Sequence, residues 1–288
     1  MPYVSVIIPA QNRPAMLREA IASVLAQTFQ DFELIVVLNG ATPETADVAK
    51  SFANNPKIKV APMEKSTLAD ARNTGLSVAT GEWLAFLDDD DIWLPSKIDV
   101  QLKAAAASGA DLVTCDFSAF NQDGEIAGAG LYPLPPGLSF AEALVLSNYV
   151  SGGSAAMARS AAVRRLGGFD ATLHACEDWD MWRRLAWDGK IHYVDQRLVR
   201  YRRHGSNMTG DMDLLIQAEM QHFAKLLLDT PPNLRHMLQE AKRQFFWRLS
   251  WRLGEQGILD TYKILAHNVV FSAWRIVTKL VRGSWKGA

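Results

Sequence analysis

The chain has 288 residues, 49% hydrophobic and 21% charged, a globular balance that excludes a disordered chain and leaves room for one large α/β domain with an appendage. Two cysteines, Cys115 and Cys176, with no C-x-x-C pair, exclude a disulfide scaffold and a thiolate zinc site. The formal net charge of −1 hides a split: residues 231–288 hold ten Lys/Arg against three acids (+7), and the first 230 residues twenty against twenty-eight (−8). Met1–Pro9 lacks a basic stretch followed by a long apolar core, and no uncharged apolar run is long enough to span a bilayer. The expectation is a cytoplasmic protein in a reducing compartment, an acidic body carrying a basic tail.

Strand and helix patterns alternate through the first half. Val4–Ile8 is a β-branched run stopped by Pro9, and residues 15–26 place Met16, Ala20, Ile21, Val24 and Leu25 near helical spacing. A second strand over Glu33–Leu38 ends at Asn39-Gly40, followed by a helix over 43–53 and a short strand over 57–61. Residues 68–79 read as a helix ended by Gly81, and Trp83–Leu87 as a continuous apolar strand of a buried central position. A helix over 97–107 and a strand over 111–115 complete a βαβα pattern. Its implied architecture is α/β, a doubly wound, mostly parallel sheet with ligands at the strands' carboxyl ends. Gly124–Gly137, with four Gly and three Pro, predicts a loop or flap. A last strand is expected over Leu198–Arg203; beyond Asp211 only helical patterns remain, over 212–228, 233–253 and 258–281.

The densest chemical signal is Asp88-Asp89-Asp90-Asp91, directly after the apolar strand. Four consecutive carboxylates raise one another's pKa unless a cation is present, and oxygen ligation of this kind suits Mg²⁺ or Mn²⁺ carrying phosphate oxygens. If strand geometry persists, residues 88 and 90 point the same way and share one metal–phosphate unit. A solvated acidic turn is the plainer alternative.

Val4-Ser5-Val6-Ile7-Ile8-Pro9 with Asn12-Arg13, then Ser23–Thr28 and Phe32–Val37, resembles the start of a family 2 glycosyltransferase. Ala71-Arg72-Asn73-Thr74-Gly75, Gly81–Asp91, Gly167-Gly168-Phe169-Asp170, Glu177–Trp182 and Tyr201-Arg202-Arg203-His204 continue that resemblance in order, over about residues 3–207. The resemblance implies a GT-A fold at 1–210 and inverting transfer from a nucleotide-diphosphate sugar; the C-terminal helical extension expected at 211–288 lies outside it. It puts Asp90 on the metal, with Asp88 on the ribose or on the metal through water. His204 is a further metal or diphosphate contact, or else a structural histidine. Asp178 matches the family's base, with Glu177 beside it; acids in a first helical turn otherwise serve the helix dipole. Arg72 is expected on the diphosphate or the base, or on the surface paired with Asp70 or Glu64. Pro9, Asn12 and Asp89 belong with the donor. Two positions depart from the family pattern. Leu38-Asn39-Gly40 stands where an Asp reads uracil, so Asn39 takes that place and a uridine donor is favoured only weakly. The usual aromatic near residue 11 is missing.

Aromatic and aliphatic residues of 231–288, among them Trp247, Trp251, Trp274 and Trp285, alternate with Lys/Arg. That pattern fits an interfacial helix at the cytoplasmic face of an anionic membrane, and hence a glycan or lipid-linked acceptor. Packing on protein, as a lid or a homodimer contact, is the competing use. Nucleic acid is disfavoured by the acidic body. Two other classes compete: a sugar-phosphate nucleotidyltransferase, which lacks its Gly-rich triphosphate loop here, and a noncatalytic sugar-nucleotide-binding scaffold.

Overall fold

The computed structural model describes residues 1–130 and 134–255. The chain divides into two compact units, Met1–Asn207 and Met208–Ala288.

In the first unit β1 (Val4–Ala10), β2 (Phe32–Asn39), β3 (Ile58–Met63) and β4 (Trp83–Phe86) run parallel in the order β3-β2-β1-β4. Both faces are covered, and the two-residue period of the strands divides the core in two. Val4, Val6, Ile8, Leu34 and Val36 pack against α1 (Pro14–Leu25), α2 (Pro43–Ser51) and α4 (Lys97–Ser108). Ile7, Ile35 and Val37 pack on the other side with α3 (Leu68–Val78), α5 (Phe140–Leu146), α7 (Ser160–Arg165) and α8 (Glu177–Asp188). Pro9 sits within β1 rather than ending it. The odd residues of β1 bond towards β4 (Trp83 N to Tyr3 O 3.1 Å, Leu87 N to Ile7 O 3.0 Å), and β4 stops before Pro9 would need a partner for the N–H it lacks.

The second half of the sheet is mixed. β8 (Met157–Arg159) is antiparallel to β4 and to β6 (Leu112–Asn121), β9 (Ile191–Arg202) is parallel to β6, and β5 (Ile92–Trp93) is antiparallel to β9. β9 begins seven residues before the expected strand. Exposed Asp195 and Gln196 break its apolar pattern because they form a bulge: the register jumps from Cys115↔Val194 to Asp116↔Arg197. The segment expected as a loop over 124–137 opens with a strand, β7 (Gly124–Ile126), paired to β6. Its turn is made by Asn121 Oδ1 accepting from Asp123 N (2.8 Å) and by Gly124 at φ +122°.

The second unit pairs α9 (Met212–Asp229), capped by Asp211 (Leu214 N to Oδ1, 3.0 Å), with α10 (Leu238–Glu255) after a 3₁₀ turn. Phe223 and Phe245 stack at 4.4 Å, and Arg252 reaches Glu219 at 2.7 Å. The apolar stripe of the tail is therefore divided: Phe245 and Leu249 are buried, whereas Trp247 and Trp251, one turn apart, are 68% and 56% exposed. No described helix is long and apolar enough to cross a membrane. The helix expected over 258–281 lies outside the described residues.

Candidate active site

The predicted site residues converge at the carboxyl ends of β1, β2 and β4, where an open α/β sheet presents ligands. β4 ends at Phe86, and Asp91 N donates to Asp88 O (3.2 Å), closing the acidic run into a turn. The strand alternation expected for residues 88 and 90 is thereby lost, and the two carboxylates diverge. Asp88 Oδ1 takes Arg72 Nη2 at 2.9 Å, while Asp90 Oδ2 takes Arg13 Nη1 at 2.8 Å and meets His204 Nε2 at 3.0 Å. Asp89 is spent on the loop after β1: Oδ2 accepts from Gln11 N (3.0 Å) and Oδ1 from Arg13 Nη1 (2.9 Å). Asp91 Oδ1 accepts from Arg202 N (3.0 Å), and Arg202 Nε donates to Asp90 O (2.9 Å). Burial and the neighbouring carboxylates push Asp89, Asp90 and Asp91 above the usual carboxylate range, most of all Asp91.

Arg72 lies inside, not on the surface and not free to face a nucleotide. It is 2% exposed, and its Nη1 pairs with Glu177 while Nη2 holds Asp88. Asp70, its expected surface partner, instead completes the capping box of α3 with Thr67. The short helix α6 (Gly152–Ala155) makes room for this arrangement. A Cβ on Gly153 would stand 2.6 Å from Arg72 Nη2, and Ser154 Oγ accepts from Asp88 N at 3.1 Å. Glu177 and Asp178 open α8 behind Cys176, which sits in the left-handed region at φ 61°. Glu177 is 4% exposed, and burial lifts its carboxyl to about 7 despite Arg72. Half-buried Asp178 turns Oδ1 onto Trp179 N (2.6 Å) and Oδ2 towards Asn148 Nδ2 (3.5 Å). Burial raises its carboxyl too, with Arg72 opposing.

Asn73, beside Arg72 on α3, bonds both the N–H and the carbonyl of Phe169 (2.9 and 2.8 Å), and Phe169 lies under the Arg72 guanidinium at 5.5 Å. At the nucleotide end, Asn12 Oδ1 accepts from Thr42 N (3.0 Å). Asn39 pairs its amide with Ser66: Oδ1 accepts from Ser66 N (2.7 Å) and Nδ2 donates to Ser66 O (3.0 Å). It thus fixes the β3–α3 loop.

Asp90 and His204 present a carboxylate oxygen and an imidazole nitrogen 3.0 Å apart. That donor pair fits Mn²⁺ or Mg²⁺ completed by diphosphate oxygens and water. Asp88 does not join it; among the described residues no three His, Cys, Asp or Glu side chains converge on one metal position. Ser206 N donates to His204 Nδ1 (3.2 Å), which puts the proton of a neutral ring on Nε2, facing Asp90; for Nε2 to ligate a cation, that proton must move to Nδ1 and Ser206 N must turn away.

The profile of Glycosyl transferase family 2 matches residues 5–166, more than half of the chain. The chain belongs to that family. Among curated proteins it is 26% identical to an uncharacterised glycosyltransferase of Rickettsia prowazekii and 28% identical to one of Rickettsia typhi, covering 91% of this chain and 83% of each relative. Among solved structures it resembles S. aureus TarS 1-349 in complex with UDP-GlcNAc (TM-score 0.69, 18% identity, 85% of this chain and 73% of that one). It also resembles a mannosyltransferase of Pyrobaculum calidifontis in complex with GDP-Man and Mn²⁺ (TM-score 0.65, 19% identity, 100% and 88%). The fold is GT-A, and the protein is a glycosyltransferase.

Against the family pattern, sequence reasoning missed what Arg13, Asn148, Gly153, Ser154 and Arg202 do. Arg13 and Arg202 were visible as members of Asn12-Arg13 and Tyr201-Arg202-Arg203-His204. Their partners, 76 to 193 residues away, were not.

Proposed function

We propose that this glycosyltransferase moves a sugar, with inversion, from a nucleotide-diphosphate donor to a glycan or lipid-linked acceptor of cell-surface polysaccharide synthesis, using Mg²⁺ or Mn²⁺. Uridine diphosphate is our first choice of carrier. One observation carries the reading: a single ionic chain, Asp88–Arg72–Glu177, buried at Arg72 and Glu177, joins the neighbours of the Asp90–His204 pair at one end and of Asp178 at the other. Transfer needs a cation at the diphosphate and a base at the acceptor, held at a fixed separation.

In this assignment Asp90 and His204 hold the cation, which when bound offsets the charge of the leaving diphosphate. The acceptor hydroxyl oxygen attacks the anomeric carbon, the bond from that carbon to the diphosphate breaks, and Asp178 takes the hydroxyl proton. A carboxyl raised by burial suits that role, because it keeps the proton as the new bond forms. Glu177 positions Asp178 through Arg72. Pro9, Asn12, Asn39 and Asp89 shape the floor beneath the nucleotide, and Asp88 serves the ribose or a metal-bound water. Support comes from the nucleotide sugars and Mn²⁺ named in the two solved relatives, and the sugar-transfer unit is assigned to 1–210.

We assign 211–288 as a helical extension that meets anionic lipid at the cytoplasmic face. Exposed Trp247 and Trp251 stand on one face of α10 with Arg243, a pairing suited to the headgroup layer. Flotation with anionic liposomes should recover the full chain, and Trp247→Ala/Trp251→Ala should stay behind. Recovery of both, or of neither, rejects the lipid contact, and a dimer in light scattering that the double variant loses favours protein packing.

The function is tested with purified enzyme, Mn²⁺ and a panel of nucleotide sugars, read as donor-dependent thermal shift and nucleoside diphosphate release. At least one donor should raise the melting temperature and turn over, with release lost in Asp90→Asn. Absence of both effects across uridine, guanosine and thymidine donors refutes the proposal.

A further inference from the structure

The Asp90 oxygen that faces His204 is already occupied by a cation belonging to the chain. Oδ2 of Asp90 lies 2.8 Å from Arg13 Nη1 and 3.0 Å from His204 Nε2. A divalent cation seated between Asp90 and His204 would replace their mutual hydrogen bond and stand against the Arg13 guanidinium, and two cations on one carboxylate oxygen repel each other. Arg13 is the one equipped to leave. Its Nη1 also holds Asp89 Oδ1 at 2.9 Å, and its side chain is 27% exposed, so it can swing off Asp90 while staying anchored. Asp89 is in turn pinned by Gln11 N. The backbone beneath does not depend on Arg13, because Arg202 grips the Asp90 carbonyl and the Asp91 carboxylate.

The other end of the guanidinium reaches the turn that carries His204. Arg13 Nη2 donates to Ser206 O at 2.7 Å. That turn is self-contained: His204 N donates to Asn207 Oδ1 (2.5 Å), and Asn207 Nδ2 donates to Arg202 O (3.1 Å). It can move as a piece once its tether is released.

We propose that Arg13 is a positioning residue that stands in for the divalent cation in the unloaded enzyme and latches the 204–207 turn. Its guanidinium neutralises Asp89 and Asp90 until metal and donor bind, then leaves Asp90 and frees Ser206. The inference rests on the divalent-cation reading given under Proposed function. It implies that Arg13 competes with the metal: the residue keeps the empty site intact and weakens metal binding when no donor is present.

Mn²⁺ binding to the full-length protein, read by electron paramagnetic resonance of the free ion with and without UDP, tests this directly. Arg13→Met should bind Mn²⁺ alone about tenfold more tightly than wild type, since a unit positive charge beside the ion is gone. Its melting temperature should fall without Mn²⁺ and recover when Mn²⁺ is added. A residue that merely supports the fold would lower stability in both conditions and weaken Mn²⁺ binding. Arg13→Lys keeps the charge and loses the two-armed reach, and serves if the Met variant does not fold. It should bind Mn²⁺ within about twofold of wild type, while amides 204–207 exchange hydrogen faster than in the metal-free wild type. Unchanged or weaker Mn²⁺ binding in Arg13→Met, or unchanged exchange in Arg13→Lys, overturns the proposal and leaves the metal reading standing. Wild type that binds no Mn²⁺ even with UDP overturns both.

Discussion

Replacing Arg72 by Met removes the one positive charge inside the ionic chain, leaving buried Glu177 without its counter-ion and part-exposed Asp88 without one contact. Arg72 is 2% exposed and Glu177 4%, so water cannot take over. Breaking a buried ion pair by deleting one partner costs about 3–5 kcal/mol, a large share of the roughly 5–15 kcal/mol that holds a domain folded. The loss should depend on pH in a defined direction. Glu177 holds its proton up to about pH 7 in the folded protein, against 4.5 for an ordinary glutamate. Folding therefore takes up a proton between those values, and stability falls as pH rises through that window. Above about 7 the wild-type carboxylate is ionised in both states and contributes no further slope.

Without Arg72 the carboxyl moves higher still, because burial and the Asp178 charge both push it up and only a backbone hydrogen bond opposes them. The variant should then keep losing about 1.4 kcal/mol per pH unit between pH 7 and 8, where the wild type has levelled off for this group. Urea unfolding midpoints at pH 5.5, 7 and 8 measure this, with Arg72→Lys as a control that keeps the charge and one contact. The gap between wild type and Arg72→Met should widen from pH 7 to 8, with Arg72→Lys in between. A gap that is constant with pH, or below about 1 kcal/mol, would mean that Arg72 is not the counter-ion of Glu177.

Other residues carry predictions of their own. Asp178→Asn should cut turnover by about 10²–10⁴-fold with the melting temperature nearly unchanged; a loss below tenfold in nucleoside diphosphate release removes Asp178 from the base position. Glu33 is held down to about 2, against the opposing effect of burial, by Lys59 (2.5 Å), Ser5 Oγ (2.6 Å) and Thr80 N and Oγ1 (both 2.7 Å). Its stabilisation is complete above about pH 4.5 and drains away as pH falls towards 2, so Glu33→Gln should lose about 1–3 kcal/mol at pH 7 and show a flatter acid limb in a stability–pH curve. Cys176 pays for its left-handed backbone, and Cys176→Gly should gain about 1 kcal/mol where Cys176→Ala gains nothing. Equal urea midpoints for the two variants would show that no strain resides there.

The fold was legible wherever one chain segment carried its own pattern. Val4–Ile8 and Glu33–Leu38 are apolar nearly throughout because both faces of the central strands are covered, and α3 showed as a helical pattern over 68–79 closed by Gly81. Legibility failed where structure depends on a distant partner. The early part of β9 was hidden by the bulge at Asp195 and Gln196, which exists only because β6 sets the register. β7 was hidden by a composition that reads equally as loop. Asn39 looked like a substitute reader of the base until its amide was found on Ser66, 27 residues on.

The acidic run shows why a motif can be recognised and its geometry still misjudged. Four adjacent aspartates suggested one shared cation site, because strand alternation points alternate side chains the same way. A strand holds that alternation only while a neighbour bonds it, and β4 loses its pairing with β1 after Phe86. Beyond that point the backbone is set by the groups that compensate the carboxylates: Arg72 for Asp88, Arg13 for Asp89, Arg13 and His204 for Asp90, and Ser154 with the Arg202 backbone N–H for Asp91. Those partners come from α3, the β1–α1 loop, α6 and the end of β9. The turn is therefore a junction where four parts of the fold are pulled together by electrostatics, and changing Asp88 should move a different element from changing Asp90. Asp88→Asn should loosen the start of α8 through Arg72 and Glu177, whereas Asp90→Asn should loosen the 204–207 turn through Arg13 and His204. Hydrogen exchange on the two variants separates the effects, and the same segment responding in both would refute this division of the site.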